Sequence, residues 1–465
     1  MTARRVAVVG GGITGVAAAH RAASLADDVV LFEASDRVGG RVASDPFAGL
    51  DHVDSGPDAF LARVPDAVNL ATEVGIADEL VHPERVGAAV WYDRFHDIPD
   101  GLVLGVPGQL RPLALSGLIS PWGKVRAALE PLLPRTSTDP DSIGAFVRSR
   151  FGDEVHERLV DALVGSIYAT DTDRFSLAEL PQLAALTHDR SLLLAARRTR
   201  AAGTASAAAA PIFATPAGGM ARLVEATADA ARARGVEFRL GAPVSVERAD
   251  DAWRVGDDLF DAVVLCAAPR ALVTTLGDAA GRGAVGDVDD LRRLLGRGEA
   301  ADVVMVTLHV TDDEWPERLH GRSGYLVPKP VQRDVTAVSF GSQKWRHWAP
   351  PAGGQILRVS LGRDGAPVLH HSDDEIVERA LADLHRHTGV GFSPLETRVT
   401  RWPGAFAQYR PHHRRWVDSV RSALPPGLFV AGAGFDGIGI PACIRSGTTQ
   451  AAAACGASAS PDNKG

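Results

Sequence analysis

The amino-acid sequence predicts an α/β protein, in which a parallel sheet covered by helices is joined to a domain of α+β type and to a helical region. The first 35 residues predict a β-α-β unit: the strand RVAVVG (5–10), a small-residue helix, and the strand DVVLFEAS (28–35). The segment after residue 218 predicts helix, strand, hairpin and the buried strand DAVVLCAAP (261–269), which indicates a return to the first sheet. Strand-like runs around the helical segment Asp373–Gly389 predict a mostly antiparallel second sheet between residues 300 and 415.

The remaining segments complete this outline. Residues from about 100 to 200 have mainly helical spacing, as in SIGAFVRSRFGDEVHERLVDALVGSIYA (142–169). The basic and then alanine-rich stretch 197–211 predicts a flexible connector, with a short helix as the alternative. The stretch 427–455 predicts a strand, a glycine-rich loop and a helix, in that order.

Size and composition exclude several classes of protein. A chain of 465 residues is too long for one core, so two or three domains are expected. The formal net charge of -8 argues against binding of nucleic acid through bulk charge. Three scattered cysteines, Cys266, Cys443 and Cys455, form neither a disulfide framework nor a CxxC metal site, so we expect a reduced cytoplasmic compartment. No cluster of metal ligands is visible, and we expect no metal.

The membrane expectations rest on the apolar segments. No secretory signal is visible, because residues 4–5 lead directly into a strand-like run. The apolar stretch 101–122 is interrupted by Pro107, Arg111, Pro112 and Pro121, so we expect no transmembrane span. Peripheral contact of this segment with the inner face of the membrane stays open.

A glycine-rich turn follows the first strand. Gly10, Gly12 and Gly15 have GxGxxG spacing and lie between a strand and a helix. In such a turn the glycines permit the tight bend, the approach of a pyrophosphate to the backbone, and close packing of helix on strand. Glu33 ends the next strand about 20 residues later, where a carboxylate can accept both ribose hydroxyls. The sequence therefore predicts a Rossmann-like domain that binds NAD or FAD.

The next loop, EASDRVGGRV (33–42), bears on the choice of cofactor. It places Arg37, two glycines and Arg41 just after the ribose carboxylate. Glycines flanked by arginines suit a second phosphate contact with a long, extended cofactor. A polar loop that only needs turn residues explains the pattern equally well.

Several motifs together resemble one enzyme family. GGGITG, EASDRVGGR, TPAGGMARLVEA and GAGFDGIGIPACIRSG are similar to motifs of the FAD-dependent amine oxidase superfamily. DSGPDAFLAR (54–63), PDGLVLGVPGQLRP, GSIYATDTDRFSL and GIGIPACIRSG resemble, within it, the protoporphyrinogen/coproporphyrinogen III oxidases, and the chain looks like their soluble bacterial coproporphyrinogen branch. The resemblance extends from Val6 to about Ala454.

The resemblance implies three domains. Residues 1–60, 211–275 and 416–458 would form a discontinuous, Rossmann-like FAD-binding domain. Residues 61–98 and 276–415 would form the substrate-binding domain with its antiparallel sheet, and 99–205 a helical domain like those that associate with membranes. Residues 459–465 would be a disordered tail.

The resemblance also implies which residues contact FAD. The glycine turn and Glu33 would hold the phosphates and ribose, and other loops would contact the adenine and the flavin ring. The implied FAD contacts are Gly10, Gly11, Gly12, Ile13, Thr14, Gly15, Glu33, Ala34, Arg41, Gly56, Pro57, Asp58, Ala59, Val244, Trp402, Ala433, Ile438, Gly439 and Ile440.

The implied activity is the six-electron oxidation of coproporphyrinogen III to coproporphyrin III in haem biosynthesis, with oxygen as acceptor and hydrogen peroxide as by-product. Flavin N5 would accept hydride, so no catalytic side chain is assigned. Product hand-over to a ferrochelatase is a further implication. The implied substrate contacts are Arg63, Ser166, Ile167 and Tyr168, although Ser166 and Thr170 replace glycines common in relatives, and Val64 replaces a lysine of some bacterial relatives.

Other activities stay open. Protoporphyrinogen IX is the alternative substrate. An amine oxidase or desaturase on the same fold is a more distant alternative, as is an FAD-binding protein that has lost its activity. The departures at Ser166, Thr170 and Val64 are what support the last of these.

Overall fold

The structure is a computed structural model that describes residues 4–207, 211–277 and 285–457. The predicted disordered tail, 459–465, lies outside these ranges. The strands are β1 Arg5–Val9, β2 Asp28–Phe32, β3 Ser44–Phe47, β4 Leu50–Asp54, β5 Phe60–Leu61, β6 Leu80–Val81, β7 Gly87–Trp91, β8 Phe95–Asp97, β9 Leu102–Val103, β10 Val106–Pro107, β11 Phe213–Pro216, β12 Glu237–Arg239, β13 Val246–Ala249, β14 Ala252–Val255, β15 Asp258–Phe260, β16 Ala262–Leu265, β17 Glu299–Val310, β18 Arg322–Leu326, β19 Val335–Phe340, β20 Gln355–Leu361, β21 Glu396–Gln408 and β22 Leu428–Val430.

Helices connect these strands, and a π-helix at His156–Gly165 joins two short α-helices. The α-helices are α1 Ile13–Ala22, α2 Pro65–Glu73, α3 Leu110–Leu115, α4 Pro121–Ala128, α5 Ile143–Phe151, α6 Asp153–Val155, α7 Ser166–Tyr168, α8 Pro181–Ala184, α9 Leu192–Ala207, α10 Ala221–Ala233, α11 Pro269–Thr275, α12 Val285–Leu295, α13 Gly341–Lys344, α14 Asp373–Thr388, α15 His413–Ser422 and α16 Ile440–Ala454.

A parallel sheet with strand order β12-β2-β1-β16-β22 confirms the predicted α/β class. Its strands are apolar on both faces because both faces are covered. On β1, Val6 and Val8 pack with α1, α10 and α16, whereas Ala7 and Val9 pack with α11, α12 and α15. The predicted return of the chain to the first sheet is confirmed by the pairing of β16 with β1.

A larger sheet has the order β21-β17-β20-β19-β18-β7-β8 and is antiparallel except where β18 pairs with β7. Helix α14 packs on one face, against the buried valines and leucines of β17 and β20. Trp402 and Arg358 extend from the other face, where they bond the loop after β4. Ala301 pairs with Phe406 and Val303 with Trp402, so three residues of β21 oppose one residue of β17, and β21 bulges next to Trp402. Bulges redirect side chains.

The region that follows β8 is mainly helical and has its own apolar core, formed largely by α5, the π-helix and α9. It begins with the small β9–β10 hairpin. Helix α9 continues to Ala207, so the flexible connector predicted from residue 197 is wrong up to Ala207 and the helical alternative is observed. No helix within the described residues is long and apolar enough to cross a membrane. The bounds given above for the three domains stay predictions.

Candidate functional site

The glycine turn, Glu33 and the C-terminal glycine-rich loop meet at one edge of the parallel sheet. Gly10 follows β1, Glu33 follows β2, and Gly432 lies just after β22. Because all these strands are parallel, the loops that follow them meet at their carboxyl ends, which is where open α/β sheets bind ligands.

Two positions of the glycine turn have no room for a side chain, and a third faces open space. Gly10 has φ of +107°, and a Cβ there would lie 2.9 Å from Cys266 O. A Cβ at Gly15 would lie 1.8 Å from Gly10 O, so this glycine is required for close packing of α1 on the sheet. A Cβ at Gly12 would meet no protein atom within 4 Å.

The N-terminus of α1 faces this open space. Gly12 is its N-cap, and no side chain caps the helix. Backbone N–H groups at an uncapped helix start attract anions, because they are unpaired and carry the positive end of the helix dipole. The turn therefore has the geometry of a phosphate cradle.

Glu33 is held beside the turn by defined hydrogen bonds. Gly11 N donates to its Oε2 at 2.5 Å, and Ser35 donates to its Oε1 from both N at 2.9 Å and Oγ at 2.7 Å. The segment that leads to Val244 crosses here, since Ala242 N donates to Glu33 O at 2.9 Å. The segment that leads to Val244 therefore passes beside Glu33 and Ala34.

The loop of Arg41 crosses over the turn. Gly39 N donates to Gly11 O at 2.8 Å, and a Cβ at Gly40 would lie 3.3 Å from Gly12 Cα. Both glycines have positive φ, +111° and +57°. Arg41 donates from Nη2 to Gly404 O at 2.5 Å, and burial lowers the pKa of its guanidinium. These glycines are needed for close backbone approach, which a simple polar loop would not require.

The Gly56–Ala59 loop is fixed by the larger sheet. Trp402 Nε1 donates to Ser55 O at 2.9 Å, and Arg358 Nη2 donates to Gly56 O. Lys344 forms an ion pair with Asp58 at 2.8 Å. Burial acts to raise the pKa of Asp58, but Lys344 and Arg358 outweigh it and hold that pKa well below its usual range.

The C-terminal loop is held by a chain of polar contacts that sequence reasoning missed. Gly432 N donates to Ser446 Oγ at 2.8 Å, and Ser446 in turn donates to Asp436. Arg421 donates to both oxygens of Asp436, at 2.7 and 2.9 Å. The only signal in the sequence was the motif itself, because Asp436 and Ser446 both lie within GAGFDGIGIPACIRSG.

A second helix start lies on this loop. Helix α16 begins at Ile440, its N-cap Gly439 has no capping side chain, and Tyr409 donates its hydroxyl to Ala433 O at 2.6 Å. Cys443 in the first turn of α16 is buried, and burial raises the pKa of its thiol to about 11. The thiol is therefore neutral near pH 7 and fits a structural role.

The predicted substrate segment lies beside the C-terminal loop. Gln408 Nε2 donates to Tyr168 O at 3.3 Å, and the rings of Tyr168 and Phe175 are 5.2 Å apart. Tyr168 and Ile438 pack against the same apolar core. Ile167 is 50% exposed.

The two residues of this segment that replace glycines common in relatives, Ser166 and Thr170, have different surroundings. Thr170 is fully buried, and its carbonyl accepts a hydrogen bond from Arg363, so its side chain is not on the surface of the segment. Ser166 is partly exposed. Arg63 is exposed in the turn between β5 and α2.

The arrangement fits an extended dinucleotide. It has two uncapped helix starts, at α1 and α16, a carboxylate beside the first of them, and open space at Gly12. Among the described residues no group of His, Cys, Asp and Glu side chains could hold a metal ion.

The family model "Flavin containing amine oxidoreductase" matches residues 13–455. A coproporphyrinogen III oxidase of Bacillus subtilis (strain 168) is 31% identical over 461 residues, covering 96% of each chain. The coproporphyrinogen III oxidase of Mycobacterium leprae (strain TN) is 32% identical over 463 residues, covering 96% of this chain and 97% of the relative. A crystal structure of a protein from Exiguobacterium sp. 255-15, proposed to be a protoporphyrinogen oxidase, has a TM-score of 0.84, 28% identity and coverage of 98% and 99%.

Proposed function

The chain belongs to the flavin containing amine oxidoreductases, and on this premise we propose that it oxidises coproporphyrinogen III to coproporphyrin III in haem biosynthesis. It is an FAD-dependent oxidase. The main support for this substrate is the similarity to bacterial coproporphyrinogen III oxidases, at about 31% identity along almost the whole chain. The chloroplastic protoporphyrinogen oxidase 1 of Arabidopsis thaliana is more distant, at 24% identity.

We infer that FAD lies along the carboxyl edge of the parallel sheet. The N–H groups at the start of α1, including Ile13 and Thr14, would bind its pyrophosphate, and Glu33 would accept the ribose hydroxyls. The Gly56–Ala59 loop, Trp402 and the start of α16 would surround the ring. Bound there, FAD supplies two-electron oxidation chemistry, so the side chains need only bind, orient and exclude water. The open space at Gly12 supports this placement.

The macrocycle would be positioned by the segment Ser166–Tyr168. The half-exposed Ile167 would offer an apolar surface for a flat tetrapyrrole, as would Ile438, which packs against the same core as Tyr168. Arg63 would offer a cation for a substrate carboxylate. Oxygen as the electron acceptor, hydrogen peroxide as by-product and delivery of the product to a ferrochelatase belong to the same proposal.

Anaerobic mixing tests the substrate directly. We expect coproporphyrinogen III to bleach the oxidised flavin band at about 450 nm faster than protoporphyrinogen IX does, and a polyamine to leave it unchanged. Readmission of oxygen should restore the band and release hydrogen peroxide. Bleaching by the amine and by neither porphyrinogen would contradict the proposal. Faster bleaching by protoporphyrinogen IX would favour the alternative substrate.

We propose a cytoplasmic protein that binds the inner face of the membrane peripherally. The segment around α4 presents Trp122, Val125, Leu129 and Leu132 to solvent, exposed by 82, 50, 47 and 73%. Their spacing of three, four and three residues puts them on one face of a helical segment. An exposed apolar stripe of this kind suits an interfacial position with its residues among lipid headgroups.

Sedimentation with lipid vesicles checks this contact. We expect wild-type protein to pellet with anionic vesicles, and Trp122→Ser/Leu132→Ser to stay in the supernatant, because the variant loses the largest exposed apolar side chains of the stripe. Leu259→Ser is the matched control, since Leu259 is 47% exposed on β15 in another part of the protein. Equal pelleting of all three proteins would place the lipid contact elsewhere.

A further inference from the structure

A cleft rich in arginine lies at the edge of the larger sheet, away from the flavin site. It has a volume of about 480 Å³ and lies between the β7–β8 turn, the segment that enters β18, and the last turn of α14. Trp402 and Arg358 lie on the face of the sheet opposite to α14. The cleft is therefore separate from the site described above.

The charges in the cleft are unbalanced. Among the described residues it is lined by Arg94, Arg318, Arg322 and Arg386, and the only acidic residue in its lining is Asp93. His387, also in the lining, adds no charge near neutral pH, because burial lowers its pKa to about 4.

Two of these arginines have guanidinium groups with few or weak bonds to other side chains. In the part of the chain that the structure describes, the Arg318 guanidinium makes no hydrogen bond or ion pair. Arg322 pairs with Asp97 at 2.7 Å, but Asp97 is 82% exposed. An ion pair with so exposed a partner is weak, so a better anion can replace Asp97.

The arginines are not needed to cap α14. The carbonyl of His387 accepts from Trp91 Nε1 at 3.1 Å, that of His385 from Gly389 N at 2.7 Å, and that of Leu384 from Thr388 Oγ1 at 2.7 Å. Arg386 is fixed by Asp383 at 3.1 Å and covers the ring of Trp91, with its guanidinium carbon 4.7 Å from the ring centre. The cleft therefore has one fixed cation, Arg386, and two cations with available donors, Arg318 and Arg322. The fourth arginine, Arg94, pairs with Asp93 at 3.5 Å.

We propose that this cleft binds a small diphosphate compound, such as pyrophosphate or a nucleoside diphosphate. Guanidinium groups donate pairs of parallel N–H bonds to phosphate oxygens, and several converging forks suit a group with more than one phosphate. The volume exceeds that of a single phosphate, and Phe95 provides an apolar wall for the remainder of the ligand. The proposal does not depend on the oxidase activity.

Isothermal titration of the FAD-loaded protein with pyrophosphate and with ADP tests the site, and the flavin absorbance reports whether FAD stays bound. We expect binding that weakens with salt, and a Kd at least about 10-fold higher in Arg318→Ala and higher again in Arg318→Ala/Arg322→Ala. Arg318→Ala removes no side-chain hydrogen bond or ion pair among the described residues, so misfolding would not explain the loss. Arg379→Ala, on α14 but outside the cleft, should bind as wild type does.

Three results would overturn the proposal. These are no heat with either ligand, equal Kd values in wild type and the double variant, or tighter binding of citrate than of pyrophosphate. The last result would assign the cleft to carboxylates.

Discussion

Gly12→Val is expected to lower FAD affinity by roughly 100-fold or more while the apoprotein folds as wild type does. The valine side chain would project into the space where the pyrophosphate is placed, and FAD can avoid it only by leaving the α1 N-terminus. The apoprotein should tolerate the change, because a Cβ at this position would meet no protein atom within 4 Å and Gly12 has φ of -66°, which valine adopts freely. The ratio of flavin to protein absorbance after purification and fluorescence titration of the apoprotein with FAD measure the effect.

Two other glycines act as controls. Gly391 is equally open to a Cβ but lies in the loop after α14, so Gly391→Val should keep normal FAD content. Gly15→Val should prevent folding instead, since its Cβ would lie 1.8 Å from Gly10 O. Circular dichroism and thermal unfolding distinguish a variant that cannot bind FAD from one that cannot fold. Normal FAD content in Gly12→Val would show that the pyrophosphate does not pass this glycine.

The position of Glu33 beside the glycine turn was predictable because these residues are close in sequence. Gly10 to Gly15 and Glu33 belong to one β-α-β unit, and the strand and helix periods of that unit are local patterns. Their relative positions follow from the parallel pairing of β1 with β2, which is the standard outcome of such a unit.

Contacts between distant segments could not be predicted in this way. The hydrogen bonds of Ser446 with Gly432 and of Arg421 with Asp436 join residues 14 and 15 positions apart in the sequence. The hydrogen bond of Trp402 with Ser55 joins residues 347 positions apart. No periodicity encodes such pairings, because they depend on how whole elements pack. The parallel pairing of β18 with β7 could not be predicted for the same reason. Nor could the exposure of the apolar face of α4, since the sequence shows an apolar stripe but not whether it faces the core or the solvent.

A buried ion pair in the helical region is the subject of the second large prediction. Glu130 and Arg150 are 0 and 1% exposed, and two nitrogens of Arg150, Nε at 2.8 Å and Nη2, donate to Glu130 Oε1. The same carboxylate accepts from Leu192 N at 2.8 Å and Ser191 Oγ at 2.6 Å, so it also caps the start of α9. Arg150 donates further to the carbonyls of Pro134 and Arg190. One pair thus joins α5, α9 and the segment between α4 and α5.

Glu130→Ala is therefore expected to destabilise the helical region by about 3–5 kcal/mol, because it leaves a guanidinium buried without its carboxylate and uncaps α9. Urea unfolding followed by far-UV circular dichroism, together with limited proteolysis of the region 110–207, measures the loss. Replacing both partners by apolar residues, as in Glu130→Met/Arg150→Leu, should cost less than the two single changes combined, since no unpaired charge remains buried. Arg379→Gln breaks an exposed pair with Asp334 at 3.0 Å and should change stability by less than about 1 kcal/mol. If Glu130→Ala unfolds at the same urea concentration as Arg379→Gln, the buried pair is not what holds α9 against α5.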